Sequence, residues 1–462
     1  MERNIFKNIS PLDHRYSLDK NQFERYSRYF SEEAVMMYQA RVELALVEAY
    51  EKMGIAPRGA KKEVEDAIKK ITIDEIYEEE KKTKHNTRAL VNVIQKRVTD
   101  KVKPYIHLGV TSFDVIDTAA SLRYKKATAE IILPTLKTLE KRLIDIAERE
   151  IDTLQIGRTH GQHAEPITFG FAISEYISRL GTRIEAIDKT AKNLRGKISG
   201  AVGAYNALSL IVPNPFEFEE EVLSSLGLTR GTHSTQIVEP EYLTDFIHAI
   251  VSCFGVLSNL ADDMRHLQRT EISEVGEYFD KDQVGSSTMP HKRNPINYEN
   301  VKSLWKEFAP RMMTLYMDQI SEHQRDLTNS ASSRFTSEII VGLLLSAERL
   351  IKVLKRFVVS RENMQKNFNM SKDKIIAEPL YILLAYHGHK DAHEVVRRLT
   401  LLSERENIPL IELIQKDEAL KIYIEKFRES DWQILRHPEK YIGWAREKTK
   451  DVIKIWKERL GL

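Results

Sequence analysis

The stretch that decides the fold runs from residue 173 to residue 194 and reads ISEYISRLGTRIEAIDKTAKNL. Its apolar residues recur at alternating steps of four and three, which places them on one face of an α-helix: Ile173, Ile177, Leu180, Ile184, Ile187, Ala191 and Leu194. The same stepping predicts a helix along Leu243, Phe246, Ile250, Phe254, Leu257, Ala261 and Met264, and another along Ile340, Leu343, Ala347, Leu350, Leu354 and Phe357. Helices of roughly 30 Å must bury such faces against one another, so we expect an all-α protein with a long central helical bundle.

Interruptions of this periodicity predict where elements and domains end. Another periodic stretch, from Thr118 to about Ile151, contains Pro134, which should kink or divide it. Strand-like alternation is restricted to Gln155–Ile156 and Ile198–Val202.

The helical periodicity is interrupted near residue 103 and again after residue 361, which predicts three domains. We expect an N-terminal helical domain over residues 1–110, a central bundle over 111–360 that forms an oligomer core, and a C-terminal helical domain over 361–462.

Composition excludes several classes of function. Lys and Arg total 70 against 68 Asp and Glu, and the two signs alternate along the chain, which argues against a nucleic-acid or membrane partner. Cys253 is the single cysteine, so neither an intrachain disulfide nor a cysteine-rich zinc site is expected. The N-terminus lacks a signal-like apolar stretch, and the longest apolar run, Ile339–Leu345, is far shorter than the ~20 residues that span a bilayer. These features predict a soluble, cytoplasmic protein.

A long polar loop is expected from Glu271 to Asn300, because glycines and prolines interrupt the helical pattern there. Loops of this length are usually functional or disordered. Backbone N–H groups around Ser286, the cation of Lys292 and the amide of Asn294 would suit an oxyanion. The alternative is a surface loop whose polar side chains are merely solvated.

A second candidate segment, GRTHGQHAEP from Gly157 to Pro166, precedes the long helix that we expect to begin near Ile167. His160 is suited to proton transfer because the ordinary pKa of histidine is close to neutral pH. A hydrogen-bonded structural histidine is one alternative. A metal site of His160 and His163 is another, but no carboxylate or cysteine cluster lies at ligand spacing, so we expect no metal.

The run GSSTMPHKRNP, from Gly285 to Pro295, resembles the signature of the aspartase/fumarase superfamily, whose members eliminate fumarate from succinyl adducts and related anions. Alone it does not choose among adenylosuccinate lyases, argininosuccinate lyases, fumarases, aspartases and carboxymuconate cycloisomerases. His291 is usual in adenylosuccinate lyases and also occurs in the cycloisomerases. The segment THGQHA resembles the histidine motif of adenylosuccinate lyases, which the cycloisomerases usually lack. Together the two segments favour the adenylosuccinate lyase family.

Further segments resemble that family's motifs in the family's order: SPLDHRYS from Ser10, KHNTRA from Lys84, TSFD from Thr111, TQI from Thr235 and QRDLTNSASSR from Gln324. The resemblance implies substrate binding by Arg15, Tyr16, His85, Asn86, Thr87, Thr111, Ser112, Gln236, Lys292, Asn294, Asn300, Arg325, Ser330 and Arg334. Arg15 and Tyr16 would hold a phosphate, and Thr111 and Ser112 the succinyl carboxylates. Asn86 stands where an aspartate is usual, which puts the role of that aspartate in doubt here.

The resemblance also implies a mechanism: Ser286 acts as general base and His160 as general acid, without a cofactor. The implied substrates are adenylosuccinate, giving AMP, and the succinyl-carboxamide ribotide SAICAR, giving AICAR, in purine biosynthesis. The implied assembly is a homotetramer whose active sites are shared between subunits. A Ser-His hydrolase is disfavoured because Ser286 lacks a G-x-S-x-G elbow. A binding protein that keeps the fold without the chemistry, as in lens crystallins, is the remaining alternative.

Overall fold

The computed structural model describes residues 5–462, so the first four residues of the segment searched for a signal lie outside it. Helices make up most of this part of the chain. In chain order they are α1 Lys20–Phe30, α2 Glu32–Lys52, α3 Ala60–Ile68, α4 Ile73–Thr83, α5 Asn86–Gln95, α6 Ser112–Ala127, α7 Leu133–Arg149, α8 Phe169–Lys192, α9 Pro215–Ser225, α10 Glu241–Leu267, α11 Ile296–Phe308, α12 Met312–Asp318, α13 Thr336–Lys355, α14 Arg361–Asn369, α15 Lys372–Ile375, α16 Ala377–Tyr386, α17 Ala392–Glu406, α18 Leu410–Lys416, α19 Lys421–Ile424, α20 Glu429–Arg436 and α21 Ala445–Leu460.

Strands are short and form two antiparallel pairs. β1 Leu154–Thr159 pairs with β2 Gln162–Thr168, and β3 Val275–Gly276 pairs with β4 Val358–Val359. The expected strand at residues 155–156 is therefore part of a longer one. The strand expected at 198–202 is wrong, because the backbone N–H groups of Ser199 and Gly200 donate to the carboxylate of Asp114 and not to a neighbouring strand.

The three long apolar stripes coincide with α8, α10 and α13, which contain 24, 27 and 20 residues. Apart from Leu243, which is half-buried, their stripe residues are buried, which confirms the prediction of an all-α fold built on long helices. Leu194 and Phe357 lie just beyond the ends of α8 and α13 but remain buried. The apolar stripe therefore continues past the last helical turn in both cases.

The stretch that contains Pro134 stays helical throughout, with a local change of helix type just before the proline. α6 ends at Ala127, a π-helical turn spans Thr128–Ile132, and α7 begins at Leu133. Pro134 is the second residue of α7 and follows Leu133, whose N–H donates to the carbonyl of Thr128 across the π-helical turn. The N–H that proline lacks therefore falls next to a local irregularity of the helix.

The chain divides into two compact units, each assembled from three separate stretches. Unit 1 comprises Met1–Leu136, Thr182–Leu257 and Ser303–Glu348, and unit 2 comprises Lys137–Gly181, Ser258–Lys302 and Arg349–Leu462. The three consecutive domains expected from sequence remain a proposal.

By length and composition α10 could also cross a membrane. Core helices of soluble bundles share this character, and Phe246, Ile250 and Phe254 of α10 are completely buried. Their burial is what a bundle core requires.

Candidate active site

His160 lies at the tip of the β1–β2 hairpin. Thr159 pairs with Gln162, so the turn consists of His160 and Gly161 alone. Their φ angles are +53° and +76°, as a two-residue type I′ turn requires. The turn leaves the side chain of His160 exposed, although histidine seldom adopts this backbone conformation. The sequence placed the motif before a helix but missed this hairpin, and α8 begins at Phe169.

The hairpin is packed on the C-terminal part of unit 2. Ile156 of β1 is buried with Phe368 of α14 and Ile375 of α15. On β2, Nδ1 of His163 lies 2.7 Å from Oγ of Ser371. Burial, with a smaller contribution from the charge of Arg158, lowers the pKa of His163. His163 therefore has a structural partner of its own, and residues 5–462 contain no cluster of three or more metal-ligating side chains.

Ser286 lies in the loop between β3 and α11. Its Oγ accepts hydrogen bonds from the backbone N–H groups of Met289, at 3.1 Å, and Thr288, at 3.4 Å. The side-chain amide of Asn294 donates to the carbonyl of Gly285 at 2.8 Å and so closes the segment that contains Ser286 into a loop. Two N–H donors directed at Oγ stabilise negative charge on that oxygen. Lys292, on the same loop, is exposed.

Glu277 ties the two ends of this loop together. Its carboxylate accepts the backbone N–H groups of Asn297, at 2.8 Å, and Tyr298, at 3.1 Å, at the start of α11. Its own N–H donates to Oε1 of Gln268 at 3.0 Å. Burial raises the pKa of Glu277 despite these hydrogen bonds. Asn300, also expected at the site, follows in α11.

In unit 1, His85 caps α5 and contacts a second candidate residue. Its Nδ1 accepts the backbone N–H of Arg88 at 3.2 Å, and its Nε2 lies 3.3 Å from Oγ of Ser112. A neutral ring that accepts at Nδ1 carries its proton on Nε2, so His85 donates to Ser112. Asn86 folds onto the N–H of Thr87, at 2.7 Å, and does not bond His85. With asparagine at position 86, the ring of His85 therefore forms hydrogen bonds, among residues 5–462, only with the backbone of Arg88 and the hydroxyl of Ser112.

Thr111 and Ser112 begin α6 and are fixed by a buried ion pair. Oδ2 of Asp114 accepts the N–H of Thr111 at 2.7 Å. Oδ1 of Asp114 accepts the ammonium of Lys197 and the N–H of Ser199. The side chains of Asp114 and Lys197 are 0% and 1% exposed. A buried charge pair with this many hydrogen bonds holds the segment in one conformation.

Gln236 and Arg325 belong to the same region of unit 1. The N–H of Gln236 donates to the carbonyl of Gln324 at 3.3 Å, and the guanidinium of Arg325 lies 5.1 Å from the ring centre of Phe113. His85 thus contacts Ser112, and the neighbours of Gln236 and Arg325 connect the segments around residues 112, 236 and 325. Three other candidates in unit 1, Arg15, Ser330 and Arg334, are exposed, and Tyr16 is half-buried.

A small cavity of about 100 Å³ adjoins Arg325 and Phe113. Asp117 lines it and accepts the N–H of Val238 at 3.0 Å. Desolvation raises the pKa of Asp117 to about 6, although the side chain keeps some solvent contact. Sequence reasoning missed Asp117. Asp117 lies three residues after Asp114, so both lie on the same face of α6 about one turn apart. This spacing was the sequence feature that could have identified Asp117.

Comparisons with known proteins identify the family of the chain. A family model described as lyase matches residues 16–306, and one described as adenylosuccinate lyase C-terminal matches residues 321–432. An adenylosuccinate lyase from Pyrococcus abyssi is 35% identical, covering 98% of this chain and 100% of that protein. One from Archaeoglobus fulgidus is 32% identical, covering 96% and 98%. The structure of a 3-carboxy-cis,cis-muconate lactonizing enzyme from Pseudomonas putida superimposes with a TM-score of 0.83 at 23% identity, covering 96% and 100%.

The helical fold and the family model over residues 16–306 define the chain as a lyase. Identity above 30% over nearly the whole chain narrows this class. The chain belongs to the adenylosuccinate lyase family.

Proposed function

We propose that the enzyme cleaves a C–N bond of adenylosuccinate to give AMP and fumarate, and of SAICAR to give AICAR and fumarate, in purine nucleotide biosynthesis. The observation that carries this proposal is the environment of Ser286. Its hydroxyl oxygen accepts two backbone N–H donors inside a loop that Asn294 closes. A serine acting as a base needs such donors, because a free hydroxyl is too weakly acidic to be an alkoxide at neutral pH.

In the proposed mechanism, Ser286 removes a proton from the carbon next to a carboxylate of the succinyl group. This step builds a second negative charge onto that carboxylate. The ammonium of Lys292 stabilises the charge, and Asn294 keeps the loop closed during the step. His160 then protonates the departing nitrogen as general acid. No step requires a metal or an organic cofactor.

The remaining residues are proposed to bind the substrate. Thr111 and Ser112 hold the succinyl carboxylates, and the donor at Nε2 of His85 supports Ser112. The phosphate is held by Arg15 and Tyr16. The rest of the nucleotide is bound by Asn86, Thr87, Gln236, Asn300, Arg325, Ser330 and Arg334.

A homotetramer with shared active sites is part of the proposal. The long apolar helices and the resemblance to the family are what support this assembly. In addition, α12 and the residue after its C-cap expose an apolar stripe at helical spacing, formed by Met313, Tyr316, Met317 and Ile320. We place the enzyme in the cytoplasm, without a nucleic-acid or membrane partner.

The deciding assay follows the ultraviolet absorbance change of fumarate release, with adenylosuccinate and SAICAR as substrates and argininosuccinate and malate as controls. Release from the first two alone is expected. Ser286→Ala and His160→Ala should each abolish turnover and retain substrate binding, and a mixture of the two variants should regain activity. Turnover at the wild-type kcat by either variant would refute that residue's role.

Two alternatives have direct tests. Stoichiometric acylation of Ser286 by a p-nitrophenyl ester would refute the elimination mechanism and favour a serine hydrolase. Absence of fumarate release from every substrate would favour a binding protein that has lost the chemistry.

A further inference from the structure

Glu274 is a buried carboxylate within the expected 271–300 loop, but it belongs to none of the motifs quoted above. It directly precedes β3, and its side chain is completely buried. Oε1 accepts Nη2 of Arg158 at 2.6 Å and Nδ2 of Asn367 at 2.8 Å, and Oε2 accepts Nε2 of Gln155 at 2.8 Å. A buried carboxylate is tolerated where donors compensate its lost hydration, and these three do so.

Two of the three donors lie on β1, the strand that leads to His160. The β1–β2 ladder shifts register between Ile156 and Arg158, as at a β-bulge. A bulge weakens the ladder locally, so backbone pairing alone holds the end of β1 less firmly. Glu274 bonds Gln155 before this shift and Arg158 after it. The ion pair therefore fixes the strand beyond the irregularity, two residues from His160.

The backbone of Glu274 is fixed as well. Its N–H donates to the carbonyl of Leu267 at 3.0 Å, and its carbonyl accepts the N–H of Ser360 at 2.9 Å. Three residues further on, Glu277 starts the closed loop that carries Ser286. Glu274 thus connects β1, the strand that leads to His160, with β3, the strand that leads to the Ser286 loop.

We propose that Glu274 is a positioning residue of the lyase: through Arg158 it holds the turn that presents His160, and it ties that turn to the base of the Ser286 loop. This inference rests on the proposed roles of His160 and Ser286. Glu274 does not touch the reacting atoms. It acts by restricting where the imidazole can lie, and a misplacement of about 1 Å can cost roughly 100-fold in rate.

The chain offers a matched control in Glu150. Its side chain is 2% exposed and pairs with Nε of Arg149 at 2.7 Å and Nε of Arg361 at 3.1 Å. It also accepts the hydroxyl of Thr153 at 2.6 Å. Glu150 is therefore a buried, arginine-paired carboxylate near the start of β1, at the end of the hairpin away from the turn.

The test compares Glu274→Gln with Glu150→Gln in the full-length enzyme. In Glu274→Gln one of the two acceptor oxygens becomes an NH2 group, which is itself a donor. At least one of the three hydrogen bonds is therefore lost. We expect kcat to fall about 10- to 100-fold with KM within about 3-fold. Glu150→Gln should keep kcat within about 2-fold even if both variants melt earlier. Equal losses of kcat, or none at position 274, overturn the proposal.

Two further measurements separate positioning from general destabilisation. The double variant Arg158→Met/Glu274→Gln should lose no more kcat than Glu274→Gln alone, because both changes break one link. Multiplied losses would contradict action through Arg158. Glu274→Asp, which keeps the charge but is one methylene shorter, replaces Glu274→Gln if that variant does not fold, with the same expected loss.

A readout independent of activity distinguishes failure of this inference from failure of the proposed function. Amide hydrogen exchange of residues 154–168 should accelerate about 10-fold in Glu274→Gln and stay unchanged in Glu150→Gln. Unchanged exchange in both variants overturns the positioning role. Absence of fumarate release by the wild-type enzyme refutes the proposed function, and the exchange experiment still decides whether Glu274 holds the hairpin.

Discussion

We expect the buried carboxylate of Glu140 to lower the free energy of unfolding at neutral pH. It lies on α7 with a completely buried side chain, and neither carboxylate oxygen has a hydrogen-bond partner. Burial raises its pKa from 4.5 to about 9. The folded state therefore binds a proton that the unfolded state releases above pH 4.5. Stability attributable to this site is complete below pH 4.5 and is lost progressively as the pH rises toward 9.

The magnitude follows from the size of the shift. Each pKa unit corresponds to about 1.4 kcal/mol. Because pH 7 lies about two and a half pH units above the ordinary pKa of 4.5, ionisation of Glu140 stabilises the unfolded state by about 3 kcal/mol. Glu140→Gln keeps the shape and the unpaired polar atoms but removes the ionisation. We expect it to raise the free energy of unfolding by about 3 kcal/mol at pH 7, and by close to nothing at pH 4.5.

The assay is urea unfolding of the wild type and of Glu140→Gln at pH 5, 7 and 8.5, with the slope of the transition checked for constancy. Glu148→Gln is the control, since Glu148 is on the same helix, is 46% exposed and pairs with Lys457. It should change stability by less than about 0.5 kcal/mol at every pH. A stability difference between Glu140→Gln and the wild type that does not grow with pH would refute the reasoning.

Three further predictions concern residues of the site. Lys197→Met leaves the buried carboxylate of Asp114 without its cation and should lower the free energy of unfolding by about 3 to 5 kcal/mol, measured with urea; a loss below about 1 kcal/mol contradicts this. Gly285→Ala places a Cβ 2.2 Å from the carbonyl oxygen of Lys292, so the loop must move. Its kcat should fall more than about 10-fold at an unchanged melting temperature, and full activity would show that the loop geometry is not needed. His160→Asn should keep the melting temperature, because asparagine tolerates positive φ, while fumarate release falls at least about 100-fold. An active asparagine variant would remove His160 from the mechanism.

The helical part of the fold was predictable because its signal is local. Stripes such as Ile173 to Leu194 repeat at the helical period within one segment, and burying them is favourable in almost any bundle. The change of helix type beside Pro134 has an equally local cause. The family motifs likewise identified the segments of His160, Ser286 and His85 without any knowledge of their surroundings.

The hairpin and the buried anchors were not predictable in this way. Strand β2 contains Pro166 and little alternation, so only its pairing with β1 makes it a strand. Asp114 and Lys197 are 83 residues apart, and Glu274 lies 116 residues from Arg158. No sequence period connects such pairs.

The sequence by itself therefore determined the class of fold, the family and the residues available for chemistry, since each depends on short-range pattern or on contiguous motifs. The tertiary structure alone decided how those residues are held. It placed His160 on a two-residue turn and directed two N–H groups at the hydroxyl of Ser286. It also turned the side chain of Asn86 to the N–H of Thr87 and not to His85. The physical reason is that a buried charge or an unpaired backbone group must find its partner in space, wherever in the chain that partner lies.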